Sequence, residues 1–180
     1  MFARIRSVFF LPVLIILVGV PLLLLWLEGA HWFWGIEPPW SWGILLCVVI
    51  LFCAGSALML HTARVLSQRG KSTLAPWDPT RKLVVQGVYR HVRNPMMLGV
   101  FCVLLGETLL FGARGILLWT LLFAIVNVIG VPRFEEPGLQ ERFGAQYALY
   151  KKNVPRWIPR LTPWELTGDE MSGLNNEHNG

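Results

Sequence analysis

Apolar residues without any charge are concentrated in two long stretches of the chain. Residues 8–27 carry no charged side chain over 20 positions, and residues 42–60 carry none over 19. An α-helix rises about 1.5 Å per residue, so either stretch is long enough to cross a hydrocarbon core of about 30 Å. The pattern predicts two membrane-spanning helices.

Two shorter apolar stretches follow, at residues 96–111 and 115–131. The junction between them, residues 111–115, is typical of a tight turn between two helices. Helices this short suit a hairpin packed against other helices or a locally thin bilayer. The stretch at residues 96–111 carries Glu107, and an ionisable residue inside a membrane span often belongs to a functional site. Glu107 follows Pro95 by roughly 18 Å of helix, so we expect it near the far interface; a place in a substrate cavity is the alternative.

The pattern therefore predicts an all-α integral membrane protein with about four transmembrane helices in one domain, residues 1–165. Residues 137–150 show helical apolar spacing and predict a short interfacial helix, after which Trp157 and Trp164 are expected to anchor the chain at the headgroups. Residues 166–180 are polar and are predicted to be disordered. No small-residue cleavage site follows the first span, which we expect to be a retained anchor.

The basic residues orient these helices. Of the 16 Lys and Arg residues, 15 fall in residues 1–7, 61–95 and 132–180, and Arg114 is the exception. The positive-inside rule then places both termini in the cytoplasm, which fits a bacterial inner membrane. Hydrophobic residues make up 54% of the chain, and its net charge of +5 is explained by anionic lipid, so no nucleic-acid partner is implied.

Several familiar chemistries are excluded by spacing. The sequence around Gly70-Lys71-Ser72-Thr73 resembles the end of a P-loop, but Val65 stands where the motif needs a second glycine. No glycine-rich dinucleotide motif is present. The three cysteines lie inside the apolar stretches and the four histidines are scattered, so neither a disulfide nor a metal site is predicted.

Two charged segments remain unusual, residues 87–95 before the third span and residues 133–137 after the fourth. Arg93 and Glu135 would lie at the same end of two antiparallel helices, so we expect them to meet. Adjacent carboxylates at an anionic membrane face are costly, and a binding site for a zwitterionic polar molecule would explain them. The alternative is that both segments are topological flanks, with Pro95 opening a helix.

The order of motifs over residues 83–159 resembles the isoprenylcysteine carboxyl methyltransferase and phospholipid methyltransferase superfamily. The matching pieces are Gly87-Val88-Tyr89, Arg93-Asn94-Pro95-Met96-Met97-Leu98-Gly99, Glu135-Glu136-Pro137-Gly138-Leu139, Phe143-Gly144, Tyr147, Tyr150 and Val154-Pro155-Arg156-Trp157-Ile158-Pro159. Residues 73–79 resemble a loop common in bacterial members. Residues 1–60 match only as membrane helices.

The resemblance implies S-adenosylmethionine as methyl donor, in a cytoplasmic-face site built from the last helical hairpin, the preceding loop and the C-terminal segment. It makes Arg133 a candidate for orienting the acceptor, and Arg90 is the second residue that we predict to take part in catalysis. The implied cofactor contacts are Leu83, Val84, Tyr89, Arg93, Asn94, Pro95, Met96, Met97, Glu135 and Glu136. Many members carry His at the Asn94 position, so a histidine acid–base role is in doubt here. Many also carry Tyr at the Met97 position, and Met97 lacks the hydroxyl contact of that tyrosine.

Three functions stay open from the sequence. The first is methyl transfer to a lipid-like acceptor, which is an isoprenoid-linked carboxylate or thiol, or a phospholipid amine. The second is an NADPH-dependent isoprenoid or sterol-type reductase, which needs extra basic residues for the 2′-phosphate. The third is a small non-catalytic membrane protein.

The predicted topology puts Gly35 outside and Asn175 inside. Single cysteines at these two positions should therefore react with a membrane-impermeant thiol reagent from opposite sides. Labelling of both from the same side would refute the four-span orientation.

Overall fold

The computed structural model describes residues 13–69 and 83–165. These residues form helices joined by turns and short extended stretches, and no β-strand occurs among them. The predicted disordered tail at residues 166–180 and the loop at residues 73–79 lie outside the described residues.

Five main helices follow one another along the chain, all at the predicted apolar stretches except the last. Helix α1 ends at Glu28 and comprises a π-helical turn, Ile15–Gly19, followed by Val20–Glu28. Helices α2 and α3 are Trp40–Arg69 and Pro95–Phe111. Helix α4, Arg114–Gly130, is followed by a π-helical turn, Val131–Glu135, and by helix α5, Glu136–Asn153. Short 3₁₀ turns occur at Trp32–Gly35 and Gly87–Arg90.

Helices α2 and α3 pack closely because glycines replace side chains at their contact. A Cβ on Gly55 would lie 2.7 Å from the carbonyl oxygen of Gly99 and 3.0 Å from Cβ of Cys102. A Cβ on Gly99 would in turn lie 2.6 Å from Cγ of Met59. Small residues at a helix contact let two backbones approach, which is a common way to join helices within a membrane.

Two helices are long and apolar enough to cross a membrane, Trp40–Leu66 and the continuous helix Arg114–Asn153. Only 11% and 22% of their most apolar windows are buried within the protein, whereas the core helix of a soluble domain is mostly buried. Helices α1 and α3 are apolar but shorter. The count of four spans remains a prediction.

The helix predicted over residues 137–150 is not a separate interfacial element. Helix α4 continues through the π-helical turn into α5 without a loop, and α5 kinks at Gly144, where φ is +50°. Its aromatic residues pack against the protein itself: Tyr147 and Tyr150 are buried against Val154 and Trp164. The expected headgroup anchor Trp164 is thus a core residue, because the chain after α5 folds back over the helix.

At the other end of the α3–α4 hairpin, the chain turns at Gly112, where φ is +58°. A Cβ there would collide with the His31 carbonyl oxygen and lie 2.8 Å from the Trp34 backbone nitrogen, so glycine is required. Trp34 Nε1 donates to the Thr108 carbonyl oxygen at 3.0 Å, which fixes the Trp32–Gly35 turn onto α3. Glu107 is buried beside this end of α3, four residues before Phe111.

The glycine contact between α2 and α3 can be tested with one methyl group. Gly55→Ala should lower the free energy of unfolding by about 1–3 kcal/mol, because the added Cβ meets the Gly99 backbone. Thermal unfolding in detergent measures the effect.

Gly43→Ala on the same helix is the matched control, since nothing lies within 4 Å of its Cβ position. The control should be neutral or slightly stabilising, because Ala has a higher helix propensity than Gly. Equal effects at the two positions would contradict the close approach.

Candidate active site

One buried carboxylate organises the Pro95 end of the molecule. Glu136, at the start of α5, is only 4% exposed. Its Oε1 accepts hydrogen bonds from Arg93 Nη1 at 2.5 Å and Arg156 Nε at 2.8 Å, and Arg156 Nη2 is a further close partner. Its Oε2 forms an ion pair with Lys151 Nζ at 2.8 Å. Charge-assisted hydrogen bonds of this kind are about twice as strong as neutral ones.

Arg93 connects this carboxylate to the segment that follows α5. Its Nε donates to the Val154 carbonyl oxygen at 2.8 Å, and its Nη1 also reaches the Tyr147 hydroxyl at 3.3 Å. Its backbone N–H donates to the Pro155 carbonyl oxygen at 2.9 Å. Arg93 thus binds the protein through its backbone N–H, Nε and Nη1.

The electrostatic balance keeps Glu136 ionised. Burial alone would raise the pKa of this carboxyl, but hydrogen bonds from Lys151, Arg156 and Arg93 outweigh burial and hold the pKa below its ordinary value. The residue lies beyond the apolar part of α4, which ends near residue 131. A carboxylate between two guanidinium groups and an ammonium is thus the stable state at neutral pH.

The expected meeting of Arg93 with Glu135 is wrong, because Arg93 pairs with Glu136. Consecutive side chains on a helix diverge by about 100°, so the side chains of Glu135 and Glu136 point in different directions. Glu135 is exposed instead. The surrounding protein and the Glu136 charge raise its pKa, and Arg156 opposes them.

Three of the predicted cofactor contacts keep unused polar groups. The Tyr89 backbone carbonyl accepts a 2.7 Å hydrogen bond from the Tyr150 hydroxyl, and no hydrogen bond of the Tyr89 hydroxyl occurs among the described residues. Burial and the nearby Glu135 charge raise the pKa of that hydroxyl. Asn94 precedes the first residue of α3, and its side chain makes no capping hydrogen bond. Tyr89, Asn94 and Glu135 thus differ from Arg93 and Glu136, whose side chains bind other parts of the protein.

The remaining predicted contacts lie around the start of α3. Pro95 is buried as its first residue, and Met96 and Met97 are half-buried in its first turn, with Met97 packed against the core cluster of Val100 and Leu104. Leu83 and Val84 are half-buried, and Leu83 packs against the aromatic cluster of α5. The structure thus collects the predicted residues at one end of the α3–α4 hairpin.

The two arginines assigned to catalysis differ in their surroundings. Arg90 Nε donates to the Trp164 carbonyl oxygen at 2.9 Å, and its guanidinium pairs with Glu165 beside a cleft of about 490 Å³. Arg133, in the π-helical turn, is exposed and has no ion pair within the residues that the structure describes.

Arg156 and Lys151 were not predicted as site residues, although they hold Glu136. Arg156 lies inside the matching motif of residues 154–159, yet its partner is 20 positions earlier in the chain. Only the fold-back of the C-terminal segment brings them together, and no sequence period signals that contact.

The two adjacent glutamates should respond very differently to loss of charge. Glu136→Gln leaves two guanidinium groups, 11% and 18% exposed, without their buried counter-charge. Breaking a buried pair in this way costs about 3–5 kcal/mol, whereas Glu135→Gln at an exposed position should change the free energy of unfolding by less than about 0.5 kcal/mol. Chemical denaturation in detergent compares the two variants.

The pH dependence supplies a second check. A carboxyl whose folded-state pKa lies below its unfolded value contributes stability above that unfolded value, about 4.3 for Glu, and loses it as the pH falls through the folded-state pKa. Acid should therefore destabilise the natural protein more than Glu136→Gln over this range. The cluster would be wrongly described if both lost stability equally.

Comparison with known proteins supports the resemblance. Residues 43–146, more than half of the chain, match the phospholipid methyltransferase family. The chain is 33% identical over 88 residues to methanethiol S-methyltransferase 2 of Bradyrhizobium diazoefficiens, which covers 47% of this chain and 32% of that protein. The chain thus matches about a third of the length of this curated relative. No solved structure matches.

The family match includes Arg93 and Glu136 of the buried cluster together with Asn94 and Glu135, and it ends before Lys151 and Arg156. The predicted superfamily and the prediction of a methyltransferase-type enzyme are confirmed at the level of the family. This chain belongs to the phospholipid methyltransferase family.

Proposed function

We propose that the protein transfers a methyl group from S-adenosylmethionine to a lipid-like acceptor at the membrane face on which α3 begins. One observation carries the proposal: Tyr89, Asn94 and Glu135 keep free polar groups beside a buried ion cluster that holds their segments in place. Such a combination of rigid support and unused hydrogen-bonding groups is typical of a ligand site.

These groups fit the polar parts of S-adenosylmethionine. The first N–H groups of a helix have no intrahelical acceptor and favour an anion, and α3 begins at Pro95 without a side-chain cap. The N–H groups of Met96 and Met97 would hold the cofactor carboxylate there. Glu135 would accept from the cofactor's amino group or ribose, and Tyr89 and Asn94 would complete the contacts.

The protein's task in this reaction is mainly positional. The cofactor supplies an activated methyl group together with its leaving group. The residues of the chain bind and align the two reactants, and exclude water from them. The Arg93–Glu136–Arg156 cluster serves this task by joining the start of α3, the start of α5 and the C-terminal segment into one unit.

We propose that the acceptor is amphiphilic and enters sideways from the bilayer. Large apolar side chains of α4, including Leu118, Leu122 and Val126, are exposed along the helix, as expected for contact with lipid. Arg133 lies exposed at the end of this surface and would bind an anionic group of the acceptor. The acceptor is a phospholipid amine, or an isoprenoid-linked carboxylate or thiol.

The proposed topology follows from the distribution of basic residues. The Pro95 end of α3 faces the cytoplasm, both termini are cytoplasmic, and the four apolar helices cross the inner membrane of a bacterium. The water-soluble cofactor then reaches its site from the cytoplasm.

A reductase that uses NADPH is less well supported. Recognition of a 2′-phosphate needs basic side chains that are free to bind it. Arg93 and Arg156 are committed to Glu136, and Arg90 pairs with Glu165. The family match also favours methyl transfer.

Equilibrium binding to the detergent-purified protein tests the cofactor. We expect binding of S-adenosylmethionine and S-adenosylhomocysteine but not of NADPH. Glu135→Gln should weaken binding of S-adenosylmethionine by roughly 10- to 100-fold, since a hydrogen bond to a charged group contributes about 1.5–3 kcal/mol.

Glu141→Gln is the control, because Glu141 is an exposed glutamate on the same helix as Glu136. It should bind the cofactor like the natural protein. Binding of NADPH alone, or equal losses in the two variants, would overturn the cofactor assignment.

A further inference from the structure

The segment after α5 lies level with the second turn of α3. The ring of Trp157 meets the ring of Phe101 edge-on, with 6.0 Å between centroids and an 80° interplanar angle. Phe101 is six residues beyond Pro95, or about 9 Å along the helix, and it also contacts Phe123 of α4. Trp157 therefore sits beside the apolar part of the α3–α4 hairpin and not out in the aqueous phase.

Irregular backbone at this depth requires internal hydrogen bonds, since lipid offers none. The carbonyl oxygens of Val154, Pro155 and Arg156 accept from Arg93 Nε at 2.8 Å, the Arg93 backbone N–H at 2.9 Å and the Asn94 backbone N–H at 3.3 Å. Three consecutive carbonyl groups are thus satisfied by the residues that lead into α3.

Backbone carbonyl groups on either side of this stretch also have hydrogen-bond partners inside the protein. The Asn153 carbonyl oxygen accepts from Arg160 Nη1 at 2.7 Å, and the Arg160 carbonyl oxygen accepts from His91 Nδ1 at 2.8 Å. Pro159 has no N–H that would need a partner. The segment is built to lie at a membrane interface.

Trp157 breaks this pattern. Its indole N–H is buried and has no hydrogen-bond partner in the described parts of the chain. The indoles of Trp34 and Trp119 both donate to backbone carbonyl oxygens, at 3.0 and 3.2 Å. A buried tryptophan ordinarily finds such a partner, because its N–H is only a donor.

The two neighbours of Trp157 in sequence face different surroundings. Ile158 is 79% exposed, as is typical of a side chain in contact with lipid. Arg156 binds Glu136 within the buried cluster. Trp157 thus lies between an exposed apolar side chain and the polar cluster, where the proposed sideways entry would bring the polar group of an amphiphile.

We infer that Trp157 is an acceptor-binding residue, whose indole N–H donates to an oxygen of the acceptor's polar group. The inference rests on the proposed methyl transfer and narrows its substrate class. Because an ionised oxygen is the strongest acceptor for such a donor, we assign the acceptor an anionic oxygen, either the phosphodiester of a phospholipid or the carboxylate of an isoprenoid-linked acid. A simple thiol offers no such group.

Direct lipid binding tests the assignment independently of activity. Trp157→Phe keeps an aromatic ring against Phe101 and removes only the donor. We would measure, by native mass spectrometry of the full chain in detergent, the affinities for phosphatidylethanolamine, for farnesylcysteine and for diacylglycerol, which lacks an anionic oxygen. Trp157→Phe should weaken binding of the phospholipid or of the carboxylate by about 5- to 30-fold and leave diacylglycerol unchanged. Which of the two weakens identifies the source of the oxygen.

Trp119→Phe is the matched control, because its indole has a partner inside the protein. It should lower the unfolding temperature without changing lipid affinity, whereas Trp157→Phe should leave the unfolding temperature and S-adenosylmethionine binding unchanged. Unaltered affinity for both anionic lipids, or an equal loss for diacylglycerol, would overturn the inference. Since these affinities need no turnover, absence of methyl transfer would count against the proposed function alone.

Discussion

The buried charge of Glu136 is the constraint on which the Pro95 end of the molecule depends. A carboxylate removed from water is unfavourable unless positive groups surround it, and here those groups come from two other segments of the chain. Arg93 precedes α3 and Arg156 follows α5, so satisfying one charge joins three segments that are far apart in sequence. The backbone hydrogen bonds between residues 90–94 and 155–164 can form only when these segments are held together.

This cluster divides the polar residues into two groups with different tasks. Arg93 and Glu136 bind each other and the segment after α5, so they support the site. Beside them lie Tyr89, Asn94 and Glu135, whose polar side-chain groups make fewer hydrogen bonds within the described residues. A motif shared with a family contains both kinds of residue, and only the hydrogen-bond partners tell them apart.

The helices were predictable from sequence because their signals are local. Helix α3 starts at Pro95 and stops before Gly112, as expected from a proline that can open a helix and a glycine that can end one. The orientation of Glu135 and Glu136 could not be predicted from sequence, since it depends on the rotation of the helix through the Val131–Glu135 turn. The place of Trp164 in the core could not be predicted either, because this residue is buried only when the C-terminal segment folds back onto Tyr150.

The unbroken path from α4 through the π-helical turn into α5 has a mechanical consequence. Arg133 and Glu135 lie on the direct continuation of α4, the helix that is apolar enough to cross a membrane, and no flexible linker separates them from it. A helix adjusts to a thicker or thinner bilayer by changing its tilt, and the side chains at its end then move relative to the headgroups. In the proposed topology, bilayer thickness would set the height of the site relative to the membrane surface, and the composition of the host membrane would then affect the reaction.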